Sequence, residues 1–584
     1  MEYLKRIKDF LFANFFEKFF AAWMMASAVI IGTSLETIDI GNINIVVFAF
    51  GFVASYVFIS LLAGRRRNSV PLFLMLSVLL FSMMLLIYSN TIYTYIATAI
   101  IFAVSVWHFF NKNEDKELEM KPKQSDIFTV IIVLVFFFVL TAFSVLRYKT
   151  FSAPNYDFGI FCNMFYNMKN SFTPLVSCER DEILSHFAVH FSPAVYVFLP
   201  FYYIFPSPVT IAVCQTAAIY SGIIPFVLIM KNRNIDSFNT CLFAVVYAAN
   251  AAYTGGCAYD FHENCLLVPF MMWMFYFYEK KKLPLMFLFA LFTLMVKEDA
   301  FVYVSVFAVY IILSERNFIK GASLLFVALA YFAVACYILE QFGTGIMANR
   351  YNSMIAEDEG LFGIVKTVLT NPGYAVKQIF NTPDHQAGKL TYFVQIMFPL
   401  AFIPFMTNKP VRLVLVLPVL LNLLTDYAYQ YDISFQYSFA IMSLLLYLCV
   451  VNMSDMEKKK RDKASVMAAG LAVMMFFMLI IPRISGEANE YADKKEIFAE
   501  MEEVLDEIPE DARIAASTFL IPYLSERTEL FEVYYTEQTD FEYLLFDMRP
   551  EYMEESLRFA VRYEDEYELT DIGNEYIFVY TKKQ

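Results

Sequence analysis

Charge is scarce in this chain. Only 17% of its 584 residues are Asp, Glu, Lys or Arg, against 59% hydrophobic, and there are just five histidines and three tryptophans. That balance argues against an ordinary water-soluble globular protein, because apolar runs long enough to cross a bilayer recur along most of its length. The apolar runs are solid and do not alternate with polar residues, which excludes a transmembrane barrel. The eight cysteines have no paired spacing, so neither a disulfide framework nor a zinc ribbon is implied; Cys162 and Cys178 fall in one loop and are expected as free thiols. There is no basic stripe of the kind that binds nucleic acid. The N-terminal "MEYLKRIKDFLF" has no small-residue cleavage site and reads as a cytoplasmic flank, not a removed signal peptide.

What charge there is lies unevenly. Residues 483–584 hold 27 of the 58 acidic and 10 of the 44 basic side chains, leaving 31 acidic and 34 basic in the rest. The expectation is a near-neutral membrane part followed by an acidic, soluble tail. The boundaries are 1–124 for the first four spans and a cytoplasmic linker, 125–482 for a membrane core with outer loops 147–207 and 341–389, and 483–584 for the tail. In the tail, Ile497, Met501, Val504, Leu505 and Ile508 share one helical face within 490–508. Strands are expected at 512–517, 530–535 and 542–547, a helix near 551–562, and a hairpin turning at Gly573-Asn574. This small α/β unit has no nucleotide-binding glycine pattern and no nucleophile motif. It reads first as a scaffold or recognition domain.

Candidate spans number about fifteen: near 19–34, 44–64, 70–88, 91–110, 126–146, 208–230, 237–254, 264–279, 283–296, 300–313, 321–340, 390–407, 411–425, 433–451 and 464–482. The run 190–208 is equally apolar. The basic loops decide its fate, since loops rich in Lys and Arg stay in the cytoplasm. These are 64–68, 111–124, 231–234, 279–284, 314–320, 407–412 and 457–463. They share one side only if 190–208 does not cross, and its prolines suit a broken, re-entrant or interfacial segment. The N-terminus is then cytoplasmic and the C-terminal unit extracytoplasmic. The outer face collects His186, His190, His262 and His385, and most of the acidic residues near the membrane.

Charged groups at membrane depth are costly and mark function more often than not. In "NYDFGIF" (155–161), Asp157 sits among aromatics, where low dielectric and neighbouring charge tune a carboxylate as general base; the alternative is a helix cap. In "SHFAVHFSP" (185–193), His186 and His190 are four apart and would share a helical face. That spacing suits a metal or a phosphate, or an interfacial packing pair. Phe187 occupies the place of the Glu that a zinc protease needs. In "AYDFHEN" (258–264), Asp260, His262 and Glu263 could ligate a divalent cation such as Mg²⁺ or Mn²⁺, or hold a lipid phosphate through one. In "VKEDAF", Lys297 is a candidate phosphate ligand beside Glu298 and Asp299, which also fit a self-neutralising corner. Arg350, Asp384 and His385 are weaker candidates in the later outer loop.

The order of "YDFGIF", "HFSP", "DFHE" and "KED", with "KLTYFVQIMFPLAFIPFM" and "LPVLLNLLTD" later (389–426), resembles the membrane proteins grouped as domain of unknown function 2079. The resemblance covers about 126–584, with the first four spans as an addition; Asn163 stands where it implies Gln after "GIF". That family is similar in layout to the GT-C glycosyltransferases. The resemblance implies a polytopic α-helical, GT-C-like fold in a prokaryotic cell membrane. It further implies a polyprenyl-phosphate sugar donor, an extracytoplasmic glycan or protein acceptor, Asp157 as the first acidic position, and Asp260 to Glu263 as the second. Carried onto these residues, Asp157 acts as base; Asp260, His262 and Glu263 hold the phosphate; and Lys297, with His186 or His190, steadies the leaving lipid phosphate. Two other classes stay open. A lipid or solute transporter would run polar residues from face to face, and a non-catalytic assembly or sensing protein would tolerate loss of Asp157, His262 and Glu263.

Overall fold

Inside a bilayer every backbone N–H and C=O must be paired within the chain, so solid apolar runs fold as helices. The computed structural model describes residues 12–33, 45–65, 69–113, 118–343, 349–355, 362–381 and 388–583. Among these, nine helices are long and apolar enough to cross a membrane, Phe15–Thr33 the first and Lys458–Asp506 the last. They coincide with nine of the expected spans. The other six are shorter helices, such as Ser237–Ala248, Leu267–Glu279 and Leu283–Leu294. At 1.5 Å per residue, 12 residues rise only ~18 Å. Of the about fifteen expected spans, nine are thus long apolar helices among the described residues and six are built on shorter ones. The short helices end in 3₁₀ turns and irregular backbone, which membrane depth tolerates where protein covers it. Met271, Met272, Met274 and Phe275 in one of them have no exposed surface.

The bundle has a centre and a rim. Gln436–Ser454 is 89% buried, whereas Ile45–Ala63 is 11% buried, so the former is walled by protein and the latter faces outward. The N-terminal spans reach the centre through Ile92–Lys112, where Tyr95 donates to the Leu471 carbonyl (3.0 Å). Gly470 lets that helix approach, since a Cβ there would sit 2.2 Å from the Phe102 ring.

The two ends of the bundle differ in charge. At one end Lys231 pairs with Asp126 (2.7 Å), Arg233 with Glu279 (2.5 Å), Arg412 with Asp455 (2.7 Å) and Arg461 with Asp236 (3.2 Å), while Lys458 donates to the Leu118 carbonyl (2.9 Å). Five of the seven basic loops thus meet. Residues 190–208 form a 3₁₀ turn, Pro193–Phe198, and a short helix, Leu199–Ile204. His190 lines a cleft at the opposite end, and Pro208–Asn232 then crosses to the basic end. The 190–208 segment therefore stays on the cleft side, where the charge bias puts it.

The helix Lys458–Leu479 leads directly into Ile481–Asp506, which carries the C-terminal unit. That unit is a five-stranded sheet of β3 (Ile514–Ala516), β4 (Leu530–Glu532), β5 (Tyr543–Asp547), β6 (Tyr567–Leu569) and β7 (Ile577–Lys582), in the order β4-β3-β5-β7-β6. Strand β3 runs parallel to both neighbours and β7 antiparallel to both of its own. The expected strands, the helix (Met553–Ala560) and the closing hairpin are all present. Asn574 shapes the hairpin loop by accepting from the backbone N–H of Tyr576 and Ile577, both at 2.9 Å.

The sheet unit packs on the loop after the helix Pro122–Lys149. This loop holds a single π turn, Asn155–Gly159, a helix, Ile160–Ser171, and a hairpin of β1 (Leu175–Arg180) and β2 (Glu182–Ser185). Tyr523 stacks on Tyr148 with centroids 5.0 Å apart. Asn163 donates to the carbonyls of Ser525 (3.2 Å) and Arg527 (2.8 Å) and accepts from the Ser177 N–H (3.1 Å). The amide that departs from the family pattern therefore rivets the loop to the sheet unit. Gly159 serves the same contact: a Cβ there would meet Ile521 Cγ2 at 2.8 Å.

Candidate active site

The four motifs, up to 140 residues apart in the chain, converge on one cleft of about 720 Å³ at the end of the bundle opposite the basic loops. That volume suits a small-molecule site. Of the residues singled out from sequence, Asp157, His186, His190, His262, Lys297 and Arg350 line it; Asp260, Glu263, Glu298 and Asp299 do not. Asp384 and His385 lie outside the described residues.

Asp157 sits in the π turn, a rare backbone form that recurs at functional sites. Its carboxylate has no hydrogen-bond or ion-pair partner among the described residues. Burial lifts its pKa to about 8, the Asp260 charge adds to this, and Lys297 opposes it. An acid held near the working pH can take a proton from a weakly acidic hydroxyl and release it again.

Two histidines are each oriented by a carboxylate. His186 Nδ1 lies 2.8 Å from Glu179 Oε2, and His190 Nδ1 lies 2.9 Å from Glu298 Oε1. Burial opposes ionisation of His186, but the Glu179 charge and hydrogen bond together with the Glu263 charge outweigh it and the pKa rises; His190 is lowered, by burial and by Lys297. His186 Nε2 is buried with no hydrogen-bond partner, on a ring that lines the cleft. Glu298 also accepts from the Phe191 N–H (3.2 Å), so its work is to hold the His190 segment.

The opening between the helices ending at Cys257 and beginning at Leu267 carries the "DFHE" corner. His262 Nδ1 stands 2.9 Å, and Lys297 Nζ 3.2 Å, from the two oxygens of Glu263. Glu263 is fully buried, and these two partners hold it well below the usual carboxylate range despite burial. Burial presses His262 down to about 4. Lys297 is 4% exposed; burial opposes its charge, but Glu263 and then Glu298 and Asp299 raise its pKa overall. Asp299 is lifted by burial to about 6. Glu263, which does not line the cleft, thus has Lys297 and His262, which do, as its partners.

Asp260 also lies off the cleft. Its Oδ1 accepts from Arg147 (2.7 Å), while Oδ2 is buried without a hydrogen bond. Arg147 also donates to the carbonyls of Tyr259 and Ser152. Gln215, inside a span, fastens the corner by donating to the Asp260 carbonyl (3.0 Å) and accepting from the His262 N–H (2.8 Å). The donor set does not fit the expected divalent cation. Among the described residues no three His, Cys, Asp or Glu side chains are grouped to hold a metal, and Asp260 already faces Arg147 and Glu263 faces Lys297.

Sequence reasoning missed Arg147, Glu179, Arg180, Gln215 and a belt of aromatics: Tyr156, Tyr259, Tyr427, Tyr429, Tyr437 and Tyr535. Arg350 stacks over Tyr427 (4.6 Å) and Tyr437 (5.2 Å). One signal was available: Arg147 and Lys149 are basic residues on the side where the charge bias puts few. Both are held by acids, Asp260 and Glu502.

Solved structures similar to the chain include ArnT from Cupriavidus metallidurans bound to undecaprenyl phosphate, at 10% identity and TM-score 0.47, over 77% of this chain and 97% of that one. The Archaeoglobus fulgidus oligosaccharyltransferase tethered with an acceptor peptide aligns at 10% identity and TM-score 0.40, over 78% and 74%. No curated protein matches. The family model does: it spans residues 147–569, from Arg147 through every cleft motif into the sheet unit, and the chain belongs to the family described as predicted membrane protein, DUF2079.

Proposed function

We propose that this protein is a GT-C-type membrane glycosyltransferase that moves a sugar from a polyprenyl-phosphate donor to an acceptor on the non-cytoplasmic face. One observation carries the reading: a single cleft joins an unpartnered aspartate to Lys297, Arg350 and the histidines, at the end away from the basic loops. An anion-binding wall facing a lone base is the requirement for this transfer, and the aromatic belt suits a sugar ring. The positive-inside bias supports the non-cytoplasmic side.

In the reaction, the acceptor hydroxyl attacks the anomeric carbon and Asp157 takes its proton. The bond from that carbon to the phosphate oxygen breaks, and its electron pair leaves with the lipid phosphate. Lys297 and Arg350 meet the charge that develops there, with His186 Nε2 as a further donor. Glu263, Glu179 and Glu298 act by positioning Lys297 and His262, His186, and His190. The sheet unit, pressed on the Asp157 loop, contributes Tyr535 to the cleft and recognises the acceptor. No step is assigned to a metal, because the acids that would bind one are engaged by cations.

The test is transfer of labelled sugar from a polyprenyl-phosphate-sugar panel to membrane glycans by the purified protein in nanodiscs. Turnover by the native protein that is lost in Asp157→Asn supports the reading. A native protein that binds no prenyl phosphate and transfers no sugar overturns it.

A further inference from the structure

A second cavity, of about 370 Å³, lies beside the first between the Asp157 loop and the sheet unit. The two share Tyr156, Ile160, Glu179, Arg180 and Tyr535 as walls. Where they adjoin, the Tyr156 and Tyr535 hydroxyls are 3.2 Å apart.

Two buried residues lining it have spare acceptors. Asn155 is 2% and Glu532 6% exposed, and Asn155 Nδ2 donates to Glu532 Oε2 (2.7 Å) and to the Cys178 carbonyl (2.8 Å). That leaves Asn155 Oδ1 and Glu532 Oε1 buried with no hydrogen bond. Buried acceptors without donors are costly, and such exceptions ask for a ligand or an ordered water. What completes them must donate. It need not be cationic: Arg180 lines the same cavity, Asp181 is taken up by Thr536 and the Glu537 N–H, and burial lifts Glu532 to about 7, so its charge is only partial at neutral pH. Phe531, Tyr156 and Tyr535 add aromatic surface, which suits the apolar face of a sugar ring.

We infer that this second cavity is an acceptor subsite that takes a neutral, hydroxyl-bearing sugar ring through Asn155 Oδ1 and Glu532 Oε1 and delivers it past Tyr156 and Tyr535 toward Asp157. The inference rests on the glycosyltransferase reading for the direction of delivery, but not for the binding itself.

The experiment is saturation-transfer NMR on the full-length protein in nanodiscs, with the methyl glycosides of glucose, galactose, mannose and N-acetylglucosamine as probes. Binding of undecaprenyl phosphate is measured in parallel. At least one glycoside is expected to bind, and Glu532→Ala is expected to weaken it about tenfold, leaving undecaprenyl phosphate unaffected. Where Glu532→Ala does not give a monodisperse protein, Tyr535→Ala carries the test, since Tyr535 is 65% exposed and not a packing residue. It is expected to weaken the same glycoside severalfold. Glycosides that do not bind, or that bind equally to whichever of these variants is tested, overturn the subsite. So does binding of methylammonium in their place. Failure of undecaprenyl phosphate to bind the native protein overturns the transferase reading separately.

Discussion

Asp157 follows a long apolar helix and Asp260 a short one, and both are withdrawn from water, but they answer to different neighbours. Asp260 is 3% exposed and has a guanidinium 2.7 Å away, a glutamine fastening its backbone, and no place in the cleft. Asp157 is half-buried, lines the cleft and has no partner among the described residues. A carboxylate matched to a buried arginine is a structural element, because its charge is already spent on folding. A partly buried carboxylate left unmatched has its pKa raised and keeps its lone pairs for a ligand. From sequence the two looked alike, and if anything the crowded corner at 260–263 looked the more chemical.

The largest expected effect separates them by activity. Asp157→Asn removes a proton acceptor without breaking any contact, so sugar transfer should fall about 10³-fold, within the range for general bases, with thermal unfolding unchanged. Transfer at the native rate would sink the base assignment. Asp260→Asn should do the reverse, leaving Arg147 buried and unpaired at a cost of about 3 kcal/mol in stability. Unfolding in detergent reads this, and the double variant Arg147→Met/Asp260→Leu should recover most of the loss. If that pair fails to rescue folding while Asp260→Asn alone folds normally, the ion pair is not structural and the contrast between the two aspartates collapses.

Much of the frame was legible because it rests on one-dimensional rules. Span positions follow from apolar length, and the non-crossing of 190–208 follows from charge bias; the tail's strands follow from alternation and turn residues. The four motifs were also visible, since each puts charge where lipid makes it expensive. Pairing was not legible. Arg147 with Asp260 and Asn155 with Glu532 join residues more than 100 positions apart. Only packing brings them together, and no periodicity encodes it. Gln215 was hidden because a polar residue inside a span has no local mark of what it fastens. Tyr427 and Tyr437 lay in an outer loop noted only for its position, and their role depends on Arg350 reaching them.

A smaller effect sharpens the contrast through pH. If Asp157 is the base with a pKa of about 8, kcat/KM for transfer should rise with pH and level off above that value. The sign follows from the active form being the ionised one, so each pH unit below 8 should cost about tenfold. Glu179→Gln should weaken binding of undecaprenyl phosphate severalfold at pH 7, because His186 loses the charge that favours its protonated form, while leaving the ~8 inflection of the transfer profile in place. An inflection that moves with Glu179 would assign the proton to His186 instead.

The smallest expected effect is on chelation. A divalent cation at the 260–263 corner needs carboxylate oxygens free to coordinate it. Here Asp260 faces Arg147 and Glu263 faces Lys297, so a cation would have to displace positive groups already in contact. In the proposed reaction, Lys297 and Arg350, which line the cleft, supply the charge that a metal would otherwise bring to a phosphate. Transfer measured before and after exhaustive EDTA treatment should therefore agree within about twofold, since the anion-binding charge belongs to the protein. Loss of transfer on chelation, restored by Mg²⁺ or Mn²⁺ and absent in Glu263→Gln, would mean that the corner rearranges when donor binds. Asp260 would then join Asp157 as a working carboxylate, and the difference between the two would hold only in the ligand-free protein.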